Sequence, residues 1–121
     1  MLDYKEQVES FKSSARFYLK NKDQYNKLAS RKDEIDPQFL EYLHDDLMYV
    51  ERTLNRVNAK CGSGARLLIY TLYVEGRSQS DVAKEYHMTR RQLQYSLSKW
   101  WKAVFEEDVP ADMQKAKEPA V

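Results

Sequence analysis

At 121 residues, with a formal net charge of +1 and three residues each of Gly and Pro, the chain suits one domain, or one domain with a helical extension. The scarcity of Gly and Pro beside abundant Lys, Glu, Gln, Leu, Tyr and Ala favours helices and starves the turns an all-β fold needs. The single cysteine, Cys61, excludes an intrachain disulfide; the charged start, Met1 to Glu6, is unlike an export signal; and the apolar run from Leu67 to Val74 is far short of the roughly 20 residues of a membrane span, so a cytoplasmic protein without membrane contact is expected.

The first segment places Tyr4, Val8, Phe11, Ala15, Tyr18, Tyr25 and Ala29 at helical spacing, with Lys22 interrupting the seam. A long helix with a break near Asn21 to Asp23 is expected. Asp36-Pro37 is a helix start, since Asp accepts a bond from an orphan amide and Pro fits the first helical position. Leu40, Leu43, Leu47, Val50, Leu54 and Val57 then alternate steps of three and four, and Tyr42 and Tyr49 widen the stripe. Cys61-Gly62-Ser63-Gly64 ends that helix. Residues 1–60 thus read as two long helices joined near Arg31 to Glu34, packed as an antiparallel hairpin or paired across a homodimer as a coiled coil.

Three shorter helices follow in residues 61–106. The first runs from about Ala65 to Glu75, with Leu68, Ile69 and Leu72 inward and Gly76 as its cap. The second opens at Ser78, with Asp81 completing a capping pattern, and turns Val82, Ala83 and Tyr86 inward. The third opens at Thr89 and runs to about Phe105, burying Leu93, Leu97, one of Trp100 and Trp101, and Val104. Residues 107–121 read as a flexible acidic tail. The expected fold is therefore all-α: an N-terminal helical hairpin or coiled coil followed by a three-helix unit.

Charge singles out the same region. Residues 61–105 hold seven Lys/Arg against three Asp/Glu, whereas residues 1–60 hold eleven of each. The spacing within Gln79–Leu97 fits a helix-turn-helix: a small residue, Ala83, where the second helix crosses, framed by Val82, Tyr86, Met88, Leu93 and Leu97. His87 stands where a turn residue of positive φ is common, and histidine tolerates that conformation better than most side chains. The outer face of the next helix offers Thr89, Arg90, Arg91, Gln94, Tyr95 and Ser98. Arg suits guanine, Gln suits adenine, and hydroxyls suit phosphates. Ser78, Gln79 and Ser80 at the preceding helix start, with Arg77 and Lys84, complete the candidate surface for double-stranded DNA.

The stretch from Leu72 to Phe105 resembles the region-4 helix-turn-helix of bacterial sigma factors. With the charged helix upstream, the layout is similar to small phage late-gene transcription activators of the RinA/ArpU type. The resemblance implies a DNA-binding regulator that contacts RNA polymerase. No sigma region 2 is recognisable, which argues against a complete sigma factor. A terminase small subunit, which joins such a unit to oligomerising helices, and a protein-binding adaptor are the competing classes. Gly62-Ser63-Gly64 lacks the rest of a phosphate loop. Cys61, His44 and His87 lack metal-ligand spacing. Asp45-Asp46 and Glu106-Glu107-Asp108 read as solvated carboxylates. Neither an enzyme nor a cofactor is expected.

Overall fold

The computed structural model describes residues 3–106, and among them there is no β-strand. The acidic tail expected at 107–121 lies outside the described residues. Helix α1 spans Tyr4–Arg16, α2 Tyr18–Ala29, α3 Pro37–Cys61, α4 Ser63–Ile69, α5 Gln79–Glu85 and α6 Arg90–Trp101. A short 3₁₀ turn, Lys32–Glu34, joins α2 to α3, and α4 and α6 each widen at the end into a π turn, Tyr70–Val74 and Lys102–Glu106. None of the described helices is long and apolar enough to cross a membrane.

Local chemistry sets most boundaries. Asp3 and Glu6 form a reciprocal capping box at the start of α1, the Glu6 amide donating to Asp3 at 2.8 Å and the Asp3 amide to Glu6 at 3.1 Å. Asp36 caps α3 by accepting from the Gln38 amide at 3.0 Å, with Pro37 at the first position. Gly62 ends α3 at φ 98°, a conformation that strains any side chain. Helix α4 begins at Ser63, two residues before the expected start, because the chain resumes helix directly after Gly62.

The first stripe breaks at Phe17 rather than near Asn21 to Asp23. Two acceptors on α3 explain the position. The Ser14 hydroxyl donates to Asp46 at 2.9 Å before the kink, and the Asn21 amide reaches the same carboxylate at 3.4 Å after it. The Tyr18 hydroxyl donates to Glu51 at 2.5 Å. Asp46 is thus half-buried and bonded, not the solvated carboxylate the sequence suggested. From Tyr18 onward the pairings run Tyr18 to Glu51, Asn21 to Asp46 and Tyr25 to His44, so α2 lies antiparallel along α3. Tyr42 does not widen the buried stripe; it is 66% exposed.

Before the kink, α1 packs across α3 and the two π turns. One apolar core therefore takes Val8 and Phe11 from α1, Val50, Leu54 and Val57 from α3, Ile69 and Leu72 from the α4 segment, Val82 and Ala83 from α5, and Leu93, Leu97 and Trp101 from α6. An aromatic cluster ties it together. Phe11 lies edge-on to Tyr73 at 6.5 Å and 5.4 Å from Trp101, and Trp101 stacks on Phe105 at 5.7 Å. Of the tryptophan pair, Trp101 is buried and Trp100 half-buried. Among the described residues, every buried side-chain polar atom has a partner.

Candidate nucleic-acid interface

The site is built on the tight connection from α5 to α6. The Ser78 hydroxyl accepts from the Asp81 amide at 3.0 Å and opens α5. Three residues, Tyr86 to Met88, separate the last capped turn of α5 from Thr89. His87 adopts φ 56°, the one non-glycine positive φ among the described residues. That conformation turns the chain so that the Met88 amide donates to the Ala83 carbonyl at 2.9 Å. Ala83 is buried beneath this turn, and a larger side chain there would displace the neighbouring helix.

Thr89 then opens α6 with a full capping box. The Gln92 amide donates to its hydroxyl at 3.0 Å, and the Thr89 amide donates to the Gln92 side chain at 2.8 Å. Such a cap contributes about 1 kcal/mol and fixes where the helix begins. Leu93, Leu97 and Trp101 anchor the inner side of α6 in the core. Arg90, Arg91, Gln94, Tyr95 and Ser98 are all exposed, and Tyr95 is 72% exposed.

These residues divide into two neighbourhoods. Gln94 donates to the Gln79 side chain at 3.0 Å, joining the start of α5 to the outer side of α6. The pair lines a groove of about 480 Å³ with Ser98, Tyr73 and, from α1, Lys5 and Lys12. Arg91 and Tyr95 line a second groove with Tyr86, His87 and Gln92. Tyr86 was expected inward but is 37% exposed, because α5 ends at Glu85 and the Tyr86 backbone has left helical geometry. Arg77 forms an ion pair with Glu85, whose hydrogen bond raises the guanidinium pKa above its ordinary value. Its charge is thereby partly offset, and it stands less ready for an anion than Arg90 or Arg91. Ser80 and Lys84 are exposed on α5.

Comparison with protein-family models, with curated proteins and with solved structures gives no match.

Two elements of this surface are absent from the sequence reading, one of which carried a signal. Gln92 was legible, since Thr-x-x-Gln is a capping-box spacing, and its side chain is committed to the cap. The α1 lysines had no such signal, because tertiary packing such as that of Phe11 against Tyr73 and Trp101 brings α1 beside this surface. Tyr73 sits at this junction, and burial raises its phenol pKa above the ordinary value, opposed by a hydrogen bond with Gln79. Among the described residues, no three His, Cys, Asp or Glu side chains converge as a metal site would require.

Proposed function

We propose that α5, the turn at His87 and α6 form a helix-turn-helix, and that the protein is a sequence-specific double-stranded DNA-binding transcriptional regulator. The observation that carries the reading is the division of α6. Its inner side is locked by Leu93, Leu97 and Trp101, its start is fixed by the Thr89 cap, and its outer side presents Arg90, Arg91, Gln94 and Tyr95 to solvent. A rigid helix of this kind entering the major groove by its N-terminal end presents guanidinium forks and an amide to base edges. Gln79, held by Gln94, and the exposed Ser80 at the start of α5 supply polar groups for the flanking backbone. The resemblance to phage late-gene activators of the RinA/ArpU type extends the reading to transcription activation with RNA polymerase as a further partner.

The test is enrichment of a random duplex library by the protein, with an Arg90→Ala/Arg91→Ala variant beside it. The wild type is expected to select a motif. The variant is expected to lose roughly 1–3 kcal/mol for each arginine that reads a base. Both side chains are exposed, so thermal stability should be unchanged and the loss assignable to recognition. Failure of the wild type to select any motif, with equal retention of both proteins, overturns the reading.

A further inference from the structure

The groove shared by α1, α5 and α6 does more than separate two packed elements. Its floor is apolar, formed by Val8, Leu97 and Trp101. One rim carries Gln79, Gln94 and Ser98, all residues of the candidate interface. The opposite rim is a single stripe of α1, Lys5, Glu9 and Lys12, at positions i, i+4 and i+7. This rim is anchored to the core. Phe11 is fully buried among Tyr73 and Trp101, and the Lys102 ammonium lies 5.9 Å from the centre of the Tyr4 ring. The Lys12 ammonium rests 5.4 Å from the centre of the Tyr73 ring and 3.3 Å from the Glu9 carboxylate.

We propose that this groove seats the phosphate backbone flanking the bases met by α6, with Lys5 and Lys12 of α1 as its cationic wall. The proposal rests on the DNA-binding reading above and extends the interface to an element far away in sequence. Charge complementarity selects the occupant. At a rise of about 1.5 Å per residue the two lysines stand roughly 10 Å apart along the helix, and each DNA strand carries one charge per about 3.4 Å of duplex axis. Set along the duplex axis, the pair therefore covers the axial rise of about three phosphates of one strand. Lys5 is exposed and is the leading charge of the wall; Lys12 rests on the Tyr73 ring near the groove, its charge partly offset by Glu9 as that of Arg77 is by Glu85. Glu9 is the unfavourable charge in this wall. It helps position Lys12 but repels phosphate, so its removal should strengthen binding.

The experiment follows the affinity of a short fluorescein-labelled duplex as salt is raised. It compares the wild type with Lys5→Glu, Lys5→Ala/Lys12→Ala, Glu9→Gln and Arg90→Ala/Arg91→Ala. Each lysine lost is expected to reduce the slope of log K against log salt by about one, alike for selected and scrambled duplexes. Glu9→Gln is expected to bind more tightly than the wild type. Lys5→Glu guards against misfolding, because Lys5 is exposed whereas Lys12 packs on Tyr73. A wild-type slope in both lysine variants, with Arg90→Ala/Arg91→Ala still impaired, overturns the seat on α1 and leaves the α6 interface standing. A wild type that binds no duplex overturns both.

Discussion

The α5–turn–α6 unit and the layer of α1, α2 and α3 are both helical packings, yet their geometry is fixed over different distances along the chain. In the C-terminal unit the decisive bonds are local. Ser78 to Asp81, Ala83 to Met88 and Thr89 to Gln92 each close within five residues. In the N-terminal layer the decisive bonds join residues far apart: Ser14 to Asp46, Asn21 to Asp46, and Tyr18 to Glu51. Local bonds fix where a helix starts once packing lets it form. Long-range bonds place a kink only once the partner helix is present.

Phe11 is where the two regions meet, so its removal tests whether they depend on one another. Phe11→Ala empties the space between α1, Tyr73 and Trp101 and is expected to cost about 3–5 kcal/mol. Urea unfolding followed by both tryptophan fluorescence and far-ultraviolet circular dichroism checks it. Trp101 reports the junction, and the dichroism reports all the helices. Coincident transitions at a lower midpoint mean one cooperative core. If fluorescence changes first while helicity persists, α1 detaches from a C-terminal unit that stands by its caps alone.

The contrast also explains what could be read from the sequence. Capping at Asp36, Ser78 and Thr89, the glycine stops at Gly62 and Gly76, the small residue at Ala83 and the positive φ of His87 are short-range rules, and the structure has each of them. The inward stripe from Leu43 to Val57 followed from helical periodicity. The kink at Phe17 did not, because no Gly or Pro marks it and its cause, Asp46 and Glu51, lies some thirty residues away. Tyr42 and Tyr86 were misplaced for a related reason. An aromatic at the margin of an apolar stripe suits either environment, and only the end of α5 and the course of α2 along α3 decide. On the candidate surface, the exposed residues of α6 were legible and the α1 rim was not.

The long-range side of the comparison is sharpened by pH. Burial first, then the hydrogen bond and charge of Glu51, raise the Tyr18 phenol pKa well above its ordinary value of 10.0. Tyr73 is raised as well, chiefly by burial. The folded state thus holds these protons more tightly than the unfolded state. Their stabilising contribution is complete below about pH 10 and is lost as pH rises beyond it. Tyr18→Phe removes the donor to Glu51 and is expected to cost about 1 kcal/mol near neutrality. It should also flatten the alkaline fall in stability. Denaturant midpoints between neutral and strongly alkaline pH measure both effects, and an unchanged alkaline slope would show that Tyr18 does not carry this dependence.

The smallest expected effect, that of His87→Gly, probes the local side. His87 holds a left-handed conformation that costs a side chain roughly 1–2 kcal/mol, whereas glycine enters it freely but loses about 0.5–1 kcal/mol more entropy on folding. These terms nearly cancel, so His87→Gly should move stability by less than about 1 kcal/mol, in the stabilising direction. His87→Val has no such release. A β-branched side chain is stiffer and clashes more at positive φ, and it should destabilise by about 1–2 kcal/mol although His87 is exposed. A difference between Gly and Val at a solvent-facing position comes from backbone conformation, not from packing. Equal midpoints for the two variants would mean that the turn relaxes to negative φ, and that the Ala83 crossing alone sets the angle between α5 and α6.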